Sequence, residues 1–189
     1  MKDLKQKLLN VGFDIISEQG FAGVGVMTII NAAGATKGSF YHHFKSKDDF
    51  GRILLDDYFE EHLPSLNQFL TNTAITRQER VQAYFENWCT TKVTEDFQIK
   101  CLVVKLSGEL SGTSNEMQKS LNQGAEKIIS CLSDFFEQGI AEEYLSLENS
   151  YETSRAIYSL WLGSTLLCAL QKDRSILDNA MKETKRLTQ

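Results

Sequence analysis

Apolar residues recur every three or four positions along most of the chain, and this spacing predicts amphipathic α-helices. Strand-like alternation is almost absent, and the only proline, Pro64, should kink or end its helix. The clearest apolar stripe consists of Met117, Leu121, Ala125, Ile128, Leu132 and Phe135. The pattern therefore predicts an all-α fold of about nine helices.

Residues that favour helix ends divide this pattern into separate helices. Gly20 and Gly34 should end the first two helices, and Thr36 should cap the third. Capping boxes are predicted for Ser46 with Asp49, Thr76 with Glu79, and Thr113 with Glu116. The predicted spans are 3–19, 26–33, 36–44, 46–70, 76–94, 97–110, 113–139, 150–172 and 175–186.

The second and third predicted helices, Val26–Ala33 and Thr36–Phe44, are short and are joined at Gly34. Two short helices that cross at a tight turn are typical of a helix-turn-helix, whose second helix enters the DNA major groove. The segment therefore predicts a recognition helix at 36–44, although a small amphipathic helix without DNA-binding function would show the same spacing.

The faces of the two short helices differ in chemistry. We expect the apolar side chains Ile29, Ala32 and Ala33 to pack on the recognition helix, and Phe40 and Phe44 to point inward. The opposite face of the recognition helix carries Thr36, Lys37, Ser39, Tyr41, His42 and His43.

Charge is unevenly distributed along the chain, whose formal net charge is −5. Residues 1–52 hold seven Lys or Arg against five Asp or Glu, and segment 36–47 holds three Lys, two His and no acid. A local excess of cations suits DNA phosphates, whereas the acidic remainder does not. Alternatively, the basic residues of segment 36–47 could simply form a solvent-exposed helix face that binds nothing.

Several residues of this segment have groups that suit a DNA contact. Lys37 can reach a base edge or a phosphate, and Gly38 allows a close approach. Ser39, Tyr41 and His42 can donate hydrogen bonds to phosphate oxygens. Lys47 lies in the first turn of the next helix, where free N–H groups also favour an anion.

The stretch from Gly20-Phe21 through Ile29-Ile30-Asn31-Ala32-Ala33-Gly34 to Thr36-Lys37-Gly38-Ser39-Phe40-Tyr41-His42-His43-Phe44-Lys45-Ser46-Lys47 resembles the N-terminal signature of TetR-family repressors. The resemblance implies a three-helix DNA-binding domain at 1–46 and a helical domain at 47–189 that dimerises and binds an inducer. It also implies DNA contacts from Thr36, Lys37, Ser39, Tyr41, His42 and Lys47. Gly25 departs from the family, which usually has Ser or Thr as N-cap there.

The predicted eighth helix is apolar around nearly its whole circumference from Tyr158 to Leu170, so it should be buried on several sides. Gly163, Ser164 and Ala169 would let another helix approach closely. This helix is either central to one subunit or part of a dimer interface. The family resemblance favours a dimer, which would bind a palindromic operator of double-stranded DNA.

Cys101 is the candidate for a chemical sensor. It lies near the start of the predicted sixth helix, with Lys100 adjacent and Lys105 one turn away, and such cations stabilise a thiolate. A buried cysteine acting only as a small hydrophobic side chain is the alternative.

Cys101-Leu-Val-Val-Lys-Leu-Ser-Gly-Glu-Leu110 and Leu160-Trp-Leu-Gly163 resemble the NemR-type branch of the family. That resemblance implies release from DNA by reactive electrophiles or oxidants at Cys101. In that branch the sensor cysteine works with a lysine on the eighth helix. Here the corresponding position, just after Cys168, is Ala169, and the nearest lysine is Lys172. A Cys101–Cys168 disulfide is a possible substitute.

A reversible effector pocket is the rival to thiol sensing. Aromatic side chains of the C-terminal domain could line a cavity for a hydrophobic or aromatic small-molecule inducer, or could simply form the core. They are Tyr84, Phe85, Trp88, Phe135, Phe136, Tyr158 and Trp161.

The chain shows no catalytic motif, which disfavours an enzyme. A helical scaffold would explain the apolar eighth helix but not the basic, glycine-bearing helix at 36–44. The four cysteines have no metal-ligand spacing, and neither a metal nor a cofactor is expected. Residues 1–10 do not resemble a signal peptide, and 156–171 is too short and polar to cross a membrane. We therefore expect a cytoplasmic protein.

Overall fold

The structure, a computed structural model, describes residues 2–109, 115–143 and 145–188, except the side chains of Lys2 and Asp3. Within these residues it has nine α-helices, which confirms the predicted fold class. The helices are α1 Lys2–Gln19, α2 Val26–Ala32, α3 Lys37–His43, α4 Lys47–Leu70, α5 Arg77–Thr91, α6 Leu102–Ser107, α7 Asn115–Ala141, α8 Ser150–Gln171 and α9 Ser175–Leu187.

The chain forms two compact units, and each contains two separate stretches of sequence. The first unit comprises Met1–Glu60 and Lys100–Gly124, and the second comprises Glu61–Ile99 and Ala125–Gln189. The helices α1 to α3 thus share a unit with α6, which lies far from them in the sequence. The predicted domain division after residue 46 stays a prediction.

The predicted N-cap side chains accept their hydrogen bonds at the starts of α3, α4 and α5. Thr76 and Glu79 make a reciprocal capping box at the start of α5. The Ser46 hydroxyl accepts the Asp49 N–H at 3.0 Å, but the Asp49 carboxylate accepts the N–H of Lys45 instead of Ser46. The Thr113 box lies outside the described residues. Helix α4 continues past Pro64, so this proline does not end it.

The predicted start of the sixth helix at Phe97 was wrong, since α6 begins at Leu102. The Thr94 hydroxyl accepts the Gln98 N–H at 2.9 Å, and Val93 and Ile99 form an isolated antiparallel bridge. Local side-chain hydrogen bonds of this kind compete with helix formation. The segment before Cys101 is therefore a turn.

The core of the first unit holds α3 in place. Phe40, Phe44 and Phe50 are fully buried, and the Phe50 ring centroid lies 5.5 Å from that of Phe40 and 4.8 Å from that of Phe44. Gly12 of α1 has no side chain, which leaves space for the Phe50 ring. Helix α3, the predicted recognition helix, is thus anchored to α4 through a cluster of three rings.

In the second unit, two buried tryptophans fix α8. Trp88 Nε1 donates to Thr165 Oγ1, and Trp161 Nε1 donates to Thr184 Oγ1, each at 2.8 Å. These bonds satisfy the polar atoms of both rings and tie α8 to α5 and α9. Among the described helices, none is long and apolar enough to span a membrane.

Candidate DNA interface and cysteine site

The recognition helix α3 begins at a complete capping box. The Thr36 Oγ1 accepts the Ser39 N–H at 3.1 Å, and the Ser39 Oγ accepts the Thr36 N–H at 3.0 Å. Gly34 precedes it with a φ of +63°, a left-handed conformation that favours glycine. The turn and the cap together fix where α3 starts.

Most of the predicted contact residues are accessible on α3 or at its N-cap. Thr36, Lys37, Gly38, Tyr41 and His42 are exposed, whereas Ser39 is half-buried. The inward prediction for the ring of Phe40 agrees with its full burial. The prediction that Ala32 packs on α3 was wrong, because Ala32 is exposed, whereas Ile29 and Ile30 of α2 and the C-cap residue Ala33 are buried.

Lys47 occupies a different setting from the other predicted contacts. Its Nζ lies 4.6 Å from the centroid of the Phe21 ring and 3.4 Å from the carbonyl oxygen of Ala22. The side chain is half-buried, and its ammonium contacts two neighbouring residues of the loop between α1 and α2. Lys47 therefore holds this loop as well as carrying positive charge.

Sequence reasoning missed Met27. This residue lies in the first turn of α2, within the helix-turn-helix, and its large apolar side chain is 50% exposed to water. Helical periodicity does not predict this exposure, because position 27 is three residues before the buried Ile30 and so lies near the same face of the helix. Gly25 caps α2 without any side-chain hydrogen bond.

Cys101 is the N-cap residue of α6 and is only 1% exposed. The Tyr58 hydroxyl lies 3.9 Å from its sulfur, close enough to donate a hydrogen bond to it. This position agrees with the expected location near a helix start. The burial means that a reagent can reach the sulfur only when the residues around Cys101 move.

The two lysines expected beside Cys101 extend toward α1. Lys105 Nζ donates to the carbonyl oxygen of Glu18 at 3.2 Å, in the last turn of α1. Lys100 Nζ lies 3.4 Å from Ser17 Oγ and 3.8 Å from Glu18 Oε1. A cation at the C-terminal end of a helix stabilises it, because the helix dipole places partial negative charge there. Both lysines therefore connect α6 to the end of α1.

Glu109 makes a third connection from the same region, which sequence reasoning did not find. Its carboxylate accepts the N–H of Ala22 at 2.8 Å. Gly20, with a φ of +78°, has no Cβ that would collide with this carboxylate. No local sequence pattern signals the contact, since 87 positions separate its partners.

The remaining cysteines are in surroundings that keep them protonated. Cys168 is fully buried, and burial raises the pKa of its thiol. Burial also raises the pKa of Cys89 to about 11 and increases that of Cys131. All four thiols, including Cys101, are free, and a Cys101–Cys168 disulfide stays a prediction.

Most of the aromatic residues predicted to line an effector pocket pack on one another. The rings of Phe85 and Trp161 stack with centroids 4.5 Å apart, and Trp88 contacts Tyr84 and Tyr158 edge-on. These five rings are buried core, which was the other expectation for them. Phe135 and Phe136 instead line a separate cavity.

A half-buried histidine adjoins this aromatic core. His62 Nε2 is 2.9 Å from the Tyr84 hydroxyl, and burial lowers the pKa of His62 to about 3. The imidazole is thus uncharged at neutral pH, as suits a polar group among aromatic rings.

Comparisons with known proteins agree with this architecture. Residues 8–50 match the family model for bacterial regulatory proteins of the tetR family, and residues 78–184 match that for a tetracyclin repressor-like C-terminal domain. The HTH-type transcriptional repressor NemR of Escherichia coli strain K12 is 28% identical over 186 residues, covering 98% of this chain and 94% of NemR. The repressor DhaR of Mycobacterium sp. strain GP1 is 27% identical over 179 residues, covering 93% of this chain and 87% of DhaR.

Solved structures agree as well. The crystal structure of the reduced form of E. coli NemR superposes with a TM-score of 0.93 at 29% identity, covering 99% of this chain and 97% of that one. Regulatory protein TetR from Rhodobacter sphaeroides gives a TM-score of 0.86 at 25% identity, covering 97% of this chain and 98% of that one. Given the exposed face of α3 and the matches along both parts of the sequence, the chain belongs to the TetR family of transcriptional repressors and is similar to NemR.

Proposed function

We propose that the protein is a homodimeric repressor that inserts α3 into the major groove of each half of a palindromic operator. The observation that carries this proposal is the exposed polar face of α3 over its fully buried inner residues Phe40 and Phe44. The proposed DNA contacts are Thr36, Lys37, Gly38, Ser39, Tyr41, His42 and Lys47. The protein would act in the cytoplasm by occupying DNA and not as an enzyme.

Dimerisation is proposed through α8. Three leucines stand exposed on this helix: Leu166 at 51%, Leu167 at 44% and Leu170 at 74%. Gly163 is exposed on the same helix and has open space beside it, so a partner helix could approach its backbone. A dimer that covers this apolar face with its symmetry mate would carry two recognition helices, which a palindromic operator requires about 34 Å, one turn of DNA, or a multiple of it apart.

The proposed trigger is covalent modification of Cys101 by a reactive electrophile or oxidant. With an activated alkene such as N-ethylmaleimide, the sulfur bonds to one alkene carbon, and the thiol proton ends on the neighbouring carbon. The 1% exposure of Cys101 leaves no space for the adduct while α6 stays in place. The adduct would therefore trap α6 in a displaced position.

Displacement of α6 would reach the DNA-binding helices through its own contacts. Lys105 holds the end of α1, and Glu109, shortly after α6, holds Ala22 in the loop that leads to α2. Both contacts lie in the same compact unit as α3. Losing them would loosen the loop and change the angle at which α2 supports the recognition helix.

An operator mobility-shift assay with and without N-ethylmaleimide tests both parts of the proposal. The untreated protein should bind a palindromic operator from its own regulatory region, and treatment should release it. Cys101→Ser should still bind and should resist release, whereas the control Cys131→Ser should respond like the wild type. Release of Cys101→Ser by the reagent would contradict the sensor assignment, and a lack of operator binding by untreated protein would contradict the repressor assignment.

A further inference from the structure

A cavity of about 230 Å³ lies in the second compact unit, away from the packed rings of Trp88 and Trp161. Its walls come from the start of α5, the last turns of α7, the segment after α7 and the end of α9. Its volume is slightly below the range of about 300–1,000 Å³ typical of drug-sized ligands. The cavity therefore suits a small molecule.

The cavity wall is largely apolar. Val81 and Phe136 contribute buried side chains from α5 and α7, and Phe135 contributes an aromatic ring. Leu145 closes one side, where its side chain packs over Gly139 and its N–H donates to the Gly139 carbonyl oxygen at 3.3 Å. Such walls favour a flat or branched apolar body.

One polar residue of the wall has an unused donor. Arg77 donates from Nε and Nη2 to the two carboxylate oxygens of Glu142, at 3.0 and 2.6 Å. Its guanidinium also lies 5.3 Å from the centroid of the Phe135 ring. The third nitrogen, Nη1, is buried and has no acceptor among the described residues. Buried donors in native proteins nearly always have a partner.

We propose that this cavity binds a small uncharged carbonyl compound with an aromatic or branched apolar body, whose oxygen accepts a hydrogen bond from Arg77 Nη1. Glu142 already neutralises the guanidinium, so a second carboxylate in this position would be repelled. Arg77 lines the cavity, and the side chain of its partner Glu142 is 55% exposed, so the ion pair has room to adjust when the oxygen binds. The site uses no residue assigned to DNA binding or thiol chemistry.

Calorimetry on the full-length protein with three probes tests the inference. Benzamide has the proposed body and a neutral carbonyl, benzoate carries a charge, and toluene lacks the carbonyl. Benzamide should bind at millimolar concentration, and benzoate and toluene should bind at least several-fold more weakly. Absence of benzamide binding, or tighter binding of benzoate or toluene, would overturn the proposal.

Three variants locate the binding. Arg77→Lys keeps the charge opposite Glu142 but loses Nη1, so benzamide affinity should fall about tenfold. Arg80→Lys is the matched control, since Arg80 donates to the carbonyl oxygens of Leu70 and Ile75 and does not line the cavity. Leu145→Phe fills the cavity from a half-exposed position and should abolish binding even if Arg77→Lys fails to fold. Wild-type affinity in either Arg77→Lys or Leu145→Phe would refute the site.

Discussion

The carboxylate of Glu109 and the backbone N–H of Ala22 are joined by a hydrogen bond of 2.8 Å. Glu109 follows α6, whose N-cap is Cys101, and Ala22 lies in the loop between α1 and α2. A charged acceptor makes a stronger hydrogen bond than a neutral one. The bond therefore connects the segment just after α6 directly to the loop that leads into α2.

Removing this acceptor should weaken DNA binding without a direct loss of any DNA contact. Glu109→Ala should lower the free energy of unfolding by about 1 kcal/mol and reduce operator affinity several-fold. Chemical denaturation and fluorescence anisotropy measure the two effects. Glu148→Ala, which removes an exposed carboxylate from another loop, is the control and should change neither. Unchanged operator affinity in Glu109→Ala would exclude the proposed route from α6 to the DNA.

Lys37 should contribute directly to operator affinity. Lys37→Ala should reduce that affinity at least tenfold, and a lost phosphate contact would also reduce the slope of log affinity against log salt by about 0.9 per protomer. Titrations at several salt concentrations measure both quantities. Lys119→Ala removes the same charge from an exposed position of α7 and should bind like the wild type. Equal affinities for the two variants would contradict the assignment of α3.

Two capping-box variants test whether an effect on operator binding can be told apart from an effect on stability. Thr36→Ala and Thr76→Ala each remove a capping box, so each should lower the free energy of unfolding by about 1 kcal/mol. Only Thr36→Ala should also weaken operator binding, because Thr76 caps α5. Thermal denaturation and operator titration of both variants provide the comparison. A similar loss of DNA affinity in both would indicate a general stability effect.

A charge at the exposed end of α8 should prevent self-association. Leu170→Glu places a carboxylate at a position that is 74% exposed, so the isolated subunit tolerates it, but a buried interface would not. Sedimentation velocity should show a monomer with unchanged helix content. Lys172→Glu, just beyond α8, should remain dimeric. A dimeric Leu170→Glu protein would assign the interface to another surface.

His62 should make the protein less stable in mild acid. Burial lowers its pKa to about 3, well below the ordinary value of about 6.5. Between these values the unfolded chain binds a proton that the folded protein does not, so the free energy of unfolding falls as the pH decreases. Denaturation from pH 7 to pH 4 should show a weaker pH dependence in His62→Gln. The exposed His42→Gln variant should keep the wild-type dependence.

Local sequence determined the helices and the recognition surface. The 3.6-residue periodicity separated Phe40 and Phe44 from the exposed Lys37 and Tyr41, and Thr36 marked the helix start. These features depend on residues within one or two helical turns of each other, so they can be read without knowledge of the fold. The same local periodicity misplaced α6, because a turn stabilised by Thr94 replaces its predicted first turn.

Tertiary structure alone decided how the cysteine helix is connected and where a cavity forms. Lys105 and Glu109 reach Glu18 and Ala22 across 87 positions of sequence each, and no local pattern specifies such a pairing. The cavity beside Arg77 likewise requires the ends of three helices to meet. Periodicity gives the direction of a side chain around its own helix, whereas its partner depends on how whole helices pack. The sequence by itself therefore determined the helix that we propose reads DNA, and only packing decided which distant residues contact the segment before α2.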